Sequence, residues 1–221
     1  MRRIVGAAFV TLDGVIQGPG GPSEDPTGGF RFSGWLPPVG DEAIEAKIGE
    51  LFGRPFDLLL GRRTYEIFAA YWPYAGDQMA GIRDPFNACT KYVVTHDDRP
   101  LEWDNSRRVG TIDELREIKQ GDGPDLVIQG SSTLYPQLLE AGLLDELTLM
   151  ISPLVLGQGK RLFGDGTPPR TLEMSDHRVS DGGNIIATYR PAGPVETGSY
   201  VTEPPSEREQ TRQAAMAEGR W

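Results

Sequence analysis

Short unbroken apolar runs alternate along this chain with longer segments whose apolar positions recur every three or four residues. Residues 4–10, 56–60, 92–95, 126–128 and 147–151 are runs of the first kind, the pattern of strands buried on both faces. Ile44, Ile48, Leu51 and Phe52 space a helix opened by Asp41 and ended by Gly53 and Pro55. Ile67, Phe68, Tyr71 and Trp72 space a second, stopped by Pro73, and the segment to about Ala88 reads as helix interrupted at Pro85. Ile112, Leu115 and Ile118 space another behind a capping box of Thr111 and Glu114. Residues 171–179 and 184–189 read as two strands around the turn Asp181-Gly182-Gly183. Strands alternating with helices predict parallel pairing through right-handed crossovers, and the last pair predicts an antiparallel edge, so the fold class is α/β.

Residues 125–142 carry the sharpest local signal, a strand, a glycine turn at Gly130 and a helix. Pro136 is comfortable only in a first helical turn, which places the helix start near Ser132 or Thr133 and its end before Gly142. Free backbone N–H groups at the positive end of a helix make a place for a phosphate or other anion; the alternative is an ordinary strand-to-helix turn. Gly61-Arg62-Arg63-Thr64 repeats the design after residues 56–60. In an open parallel sheet both helix starts lie on the edge formed by the strand C-termini, so a ligand with two phosphate groups accounts for the pair. Arg62 and Arg63 face the unfavourable end of a helix dipole unless an anion sits between them; the alternative is a solvated basic pair. Thr95 adds a hydroxyl on the same edge.

Residues 17–40 are rich in glycine and proline and too long for a simple connector, which suggests a flap. Its Phe30, Phe32 and Trp35 fold over either a neighbouring core face or a ligand pocket. The 221 residues allow one domain or at most two, and the net charge of −10 argues against a nucleic-acid or anionic-membrane partner. Any phosphate site is therefore local. A single cysteine, Cys89, excludes an internal disulfide, and with only His96 and His177 beside it no metal site is expected. No stretch approaches the roughly 18 apolar residues of a membrane span, and the interrupted N-terminal run reads as a first strand, so a cytoplasmic protein is expected. From Pro191 the composition turns polar, predicting a domain over residues 1–190 and a flexible or partner-draped tail over 191–221. Ser131 and Ser132 lie in no G-x-S-x-G elbow, which weakens a hydrolytic role.

Leu12-Asp13-Gly14-Val15-Ile16, Gly61-Arg62-Arg63-Thr64-Tyr65-Glu66, the run from Val127 to Tyr135, and Leu144-Asp145-Glu146-Leu147 with the run from Pro153 to Phe163 together support a family resemblance. The chain resembles the dihydrofolate reductase-like superfamily over about residues 1–190. Within it, the closest likeness is to the reductase domain of bacterial riboflavin biosynthesis, the RibD C-terminal domain, and its stand-alone relatives. The resemblance implies a three-layer fold and an NADPH-dependent reductase acting on a small heterocyclic or carbonyl substrate, pterin- or pyrimidine-riboside-like. A nucleotide-binding protein that kept the fold without turnover is the rival. Gly61, Arg62, Arg63 and Thr64 would hold cofactor phosphates, Arg63 the 2′-phosphate with Thr95 nearby. Gly130, Ser131, Ser132, Thr133 and Leu134 would cradle the pyrophosphate, and Ala8 and Ile16 would pack around the nicotinamide. Gln129 and Tyr135 match positions between cofactor and substrate, and Trp35 of the flap joins them as a substrate-side residue. Glu45 or Asp41 lies in the helix of the folate-type acid, while Asp13 matches the riboflavin-type substrate site or is a turn residue. Gly130-Ser131 replaces the family's glycine pair, which leaves a cis peptide there open. No His-x-Glu with a following Cys-x-x-Cys marks a deaminase partner domain. A homodimer through the later strands and the loop at residues 157–163 is also implied.

Overall fold

Residues 1–220 are described by the computed structural model. Their strands, in chain order, are β1 (Ile4–Thr11), β2 (Phe56–Gly61), β3 (Lys91–Val94), β4 (Ser106–Val109), β5 (Asp125–Gln129), β6 (Glu146–Ser152), β7 (Thr171–Val179) and β8 (Ile185–Gly193). The α-helices are α1 (Glu42–Phe52), α2 (Arg62–Tyr71), α3 (Ala80–Ala88), α4 (Ile112–Gln120), α5 (Leu134–Glu140) and α6 (Glu207–Ala217). One sheet contains every strand in the order β4-β3-β2-β5-β1-β6-β8-β7. Pairing is parallel from β4 to β6 and antiparallel where β8 joins β6 and β7.

The continuous apolar runs form the middle of the sheet because helices cover both faces there. Leu59, Leu126 and Ile128 pack on one face with Leu115 of α4 and Leu138 of α5. Leu58, Leu60 and Val127 point the other way, against Phe52, Tyr65 and Phe86 of α1, α2 and α3. Further along that second face, α1 sets Ile44 against Ala7, Met150 and Ile186. The result is the expected α/β, three-layer, dihydrofolate reductase-like architecture.

Elements at the periphery differ from the sequence expectation. The polar strand β4 carries Arg107 and Arg108 exposed and offers no apolar run to read. Strand β8 continues past Tyr189 to Gly193 and pairs with β7 through two irregular steps. Helix α5 starts at Leu134, slightly later than expected. Pro85 sits inside α3 without ending it; the carbonyl it leaves unbonded, four residues back, belongs to exposed Gly81, where water can serve. Within the expected tail, Ser206 caps α6 by accepting from the Glu209 amide at 3.2 Å, and α6 buries no residue.

The edge of the sheet at the strand N-termini is tied by buried charge. Arg2, 4% exposed, donates to Asp57 Oδ2 at 2.5 Å, to the Tyr92 hydroxyl at 3.1 Å and to the Pro124 carbonyl at 2.7 Å. Asp57 also accepts from the Thr90 amide at 2.9 Å. These bonds join the starts of β1, β2, β3 and β5 and leave the opposite edge free of that role. Truncating Asp57 would strand a buried guanidinium, which typically costs about 3–5 kcal/mol. Asp57→Ala is therefore expected to lose stability on that scale in urea unfolding, and a loss below about 1 kcal/mol would show that Arg2 is held by its other bonds.

Candidate active site

Because β2 and β5 are neighbours, pairing Phe56 with Asp125 and Leu58 with Val127, the two glycine turns that follow them lie side by side. They touch. The Gly61 amide donates to the Ser131 hydroxyl at 3.0 Å, and a Cβ on Gly61 would stand 3.7 Å from both the Ser131 and Thr133 hydroxyls. On Gly130 it would stand 3.7 Å from Thr64. Gly130 and Ser131 take left-handed φ values of 73° and 53°, and no cis peptide bond occurs among the described residues. A left-handed residue with a Cβ costs about 1–2 kcal/mol, which the buried Ser131 bond offsets in part. The Gly130 amide reaches Ala7 of β1 at 3.3 Å, and the Leu134 amide returns to the Ser131 carbonyl at 2.9 Å. Ser131 is thus spent on the architecture, while the hydroxyls of Ser132 and Thr133 have no hydrogen bond among the described residues.

The two arginines separate in role. Arg62 donates to Glu66 at 2.5 Å and to the carbonyls of Arg99 and Pro100 at 3.0 and 3.3 Å, so its guanidinium secures the start of α2. Arg63 is exposed and has no hydrogen bond or ion pair among the described residues. Thr95, 8% exposed, accepts from the Asp97 amide at 3.0 Å and serves its own turn. A cavity of about 470 Å³ opens in front of Arg63, walled by Arg62, Glu66, Ile67 and Arg99 on one side and by Glu24, Asp25, Pro26 and Thr27 of the flap on the other.

The flap has its own small core, in which Val15, Phe30 and Trp35 pack with Phe9, Leu36, Leu154 and Leu156. Trp35 is 6% exposed and its indole donates to the Gln17 carbonyl at 2.9 Å, which places it on a core face and not on an open pocket. Gln17 donates to the carbonyls of Asp25 and Thr27 at 2.9 Å each, and its side-chain oxygen accepts from the Lys160 amide at 3.0 Å. Lys160 in turn reaches Asp25 at 2.5 Å and the Thr27 hydroxyl at 2.7 Å. Burial pushes the Asp25 carboxyl up, but the Lys160 and Thr27 hydrogen bonds outweigh it and hold the group below its ordinary value.

The candidate acids are placed unequally. Asp13 accepts from the Thr11 hydroxyl at 2.6 Å and from the amides of Leu156 and Gly157 at 3.2 and 2.8 Å, clasping the loop after β6. Burial raises its pKa, yet those donors from Thr11, Gly157 and Leu156 bring the carboxyl below its ordinary value of 3.8. Asp41 caps α1, accepting from Ala43 and Ile44, and binds Asn184 at 2.8 Å. Glu45 is exposed on α1 with no side-chain partner among the described residues.

Tyr135 is fully buried, with its hydroxyl 3.4 Å from the Ala7 carbonyl, and burial holds its phenol protonated. Ala8 and Leu134 lie in the same core, and half-buried Ile16 packs against it. Gln129 ends β5 on the opposite face, the face of Val127, and its side-chain oxygen is buried without a donor among the described residues. That orphan acceptor, the flap wall and Glu24 escape a sequence reading, since none depends on residue type alone. The alternation of strand faces could have separated Gln129 from Tyr135.

A family model described as the RibD C-terminal domain matches residues 2–187. The chain belongs to that family. An uncharacterized Bacillus subtilis (strain 168) protein, YyaP, is 27% identical over 197 residues, which cover 85% of this chain and 94% of that protein. A solved structure of a candidate riboflavin biosynthesis protein from Shewanella sp. PV-4 superposes with a TM-score of 0.64 at 19% identity, covering 86% of this chain and 99% of that one. A pyrimidine reductase-like protein of Corynebacterium diphtheriae gives 0.53 at 16% identity, over 86% and 92%. A diaminohydroxyphosphoribosylaminopyrimidine deaminase/5-amino-6-(5-phosphoribosylamino)uracil reductase of Thermotoga maritima gives 0.56 at 14% identity, over 86% of this chain and 57% of that one. These likenesses fix the fold shared by the RibD C-terminal domain family and the present chain. No helix among the described residues is long and apolar enough to cross a membrane.

The Asp13 clasp carries a pH signature. A carboxylate whose folded pKa is depressed contributes stability that is present above the unfolded pKa and lost as pH falls through the folded value. Asp13→Asn is expected to lower the urea midpoint at neutral pH, with the gap to the unaltered chain closing below pH 3.8. A gap that persists unchanged in acid would show that Asp13 acts through shape alone.

Proposed function

We propose that this member of the family is an NADPH-dependent reductase that transfers hydride to a small heterocyclic or carbonyl substrate, pterin- or pyrimidine-riboside-like. The observation that carries the proposal is the unpaired Arg63 guanidinium beside two touching glycine turns on one sheet edge. A free guanidinium suits a phosphate dianion, to which it can bond in bidentate fashion. The orphan Gln129 oxygen supports the same ligand, because a buried acceptor calls for a donor such as a carboxamide N–H.

When bound, NADPH would supply the hydride. Arg63 would hold the 2′-phosphate, while Ser132, Thr133 and the turn amides hold the pyrophosphate. Arg62 and Ser131 act one step back, fixing α2 and the turn on which those groups stand. Half-buried Ile16 offers an apolar wall for the nicotinamide, with Ala8 enclosed in the core behind it, and Gln129 orients whatever donor reaches the opposite face. Hydride transfer asks mainly for this placement, with an acid only where the substrate must take a proton. Asp13 and Asp41 are committed to local bonds, so Glu45 or solvent is left for that proton. The same commitment favours the rival reading, a nucleotide-binding protein without turnover.

NADPH is expected to raise the melting temperature more than NADH does, and Arg63→Ala to weaken NADPH about tenfold to a hundredfold while sparing NADH. No stabilisation by NADPH would end the cofactor assignment. Turnover then decides between the two readings. Oxidation of NADPH by some member of a panel of pterins, pyrimidine ribosides and quinone-like carbonyls supports the reductase, and binding without oxidation supports the rival.

A further inference from the structure

The cavity in front of Arg63 contains more charge than phosphate binding requires, and most of it is already neutralised. Arg62 is paired with Glu66, Arg99 with Asp97 at 2.5 Å, and Asp25 with Lys160 at 2.5 Å. Among the described residues that line the cavity, this leaves one cation and one anion without an ionic partner, Arg63 on α2 and Glu24 on the flap. Among the described residues Glu24 has only neutral donors, the amides of Gly20 at 2.5 Å and Gly21 at 3.2 Å, both on the same oxygen. Its other oxygen has no bonded partner among the described residues. Burial raises the Glu24 pKa, the two amides lower it, and neighbouring Asp25 adds to the rise, as expected for a carboxylate that lacks a cation.

An anion-binding arginine and an unpaired carboxylate across one cavity act oppositely on a dinucleotide. A carboxylate accepts well from a free ribose hydroxyl and repels a phosphate in its place, whereas an arginine favours the phosphate. We propose that Glu24 is a specificity-determining residue for the cofactor, accepting from a ribose hydroxyl and opposing the 2′-phosphate, so that preference for NADPH over NADH is smaller than Arg63 alone would give. This rests on the cofactor reading above. It makes the flap part of the cofactor site, through the segment that Gln17 and Lys160 pin down.

Affinities for NADPH and NADH, measured by calorimetry on the full chain and on Glu24→Gln, test it. The glutamine keeps an oxygen that can accept from Gly20 and Gly21, so the flap turn is retained. The NADPH-to-NADH affinity ratio is expected to rise about three- to tenfold in Glu24→Gln at low salt. It should rise less in 1 M salt, where the screening length falls to about 3 Å and a charge effect fades but a shape effect does not. A ratio unchanged by the substitution, with both dinucleotides bound, overturns the role of Glu24 and leaves the cofactor assignment standing. A rise that persists unchanged in 1 M salt also overturns it, by assigning Glu24 a steric part. Binding of neither dinucleotide to the unaltered chain overturns both.

Discussion

The bond from the Gly61 amide to the buried Ser131 hydroxyl joins the two halves of the candidate site, and it exists because β2 and β5 are parallel neighbours. Parallel strands that lie side by side must deliver their helices on the same edge, so two glycine turns far apart in the chain end up in contact. Once they touch, little freedom remains for side chains between them. Ser131 faces inward to Gly61, Thr64 lies against Gly130, and the groups left facing outward are the hydroxyls of Ser132 and Thr133 and the guanidinium of Arg63. The polar groups left exposed at this edge are those the turn contact does not consume.

The opposite edge is built on different physics. Arg2 and Asp57 are taken out of water together, and Lys119 pairs with Asp145 nearby, which also accepts from the Ile4 amide at 2.7 Å. Such pairs contribute less through attraction than through the cost of separating them, so they pin strand starts in place. With register fixed there, the strand C-termini can carry left-handed residues and an unpartnered Gln129 oxygen at a cost the rest of the sheet absorbs. The flap repeats this division, with an apolar core around Trp35 and Phe30 for cohesion and a polar knot of Gln17, Asp25 and Lys160 for attachment.

Legibility followed burial in the middle of the sheet, whereas β7, exposed along nearly its whole length, was legible from the turn at Asp181-Gly182-Gly183 that follows it. The central strands β1, β2, β5 and β6 were readable because helices on both faces, or on one face with a neighbouring loop, demand unbroken apolar runs. Strand β4, whose Arg107 and Arg108 are exposed and which sends only Val109 into the core, and helix α6, which buries no residue, were not, since the core selects one residue of the first and none of the second. Within the site, residue type identified the turns but not the direction of each side chain. Arg62 and Arg63 are adjacent and identical in sequence, yet one is bound by Glu66 and two carbonyls and the other has no partner among the described residues. Trp35 shows the same limit, because an aromatic in a long loop covers a core or a ligand with equal chemical fitness, and the hydrogen bond to Gln17 decided for the core.

The acids complete the picture of what this site can do. A carboxylate that accepts three hydrogen bonds, as Asp13 does, is stabilised in its charged form and gives up its capacity to donate a proton at neutral pH. Tyr135 is locked the other way, protonated and enclosed by the core. With Asp13 held as a carboxylate by its donors and Tyr135 held as a phenol by burial, neither of these two side chains is suited to shuttling a proton. Glu45 differs from both, exposed on α1 with no side-chain partner among the described residues.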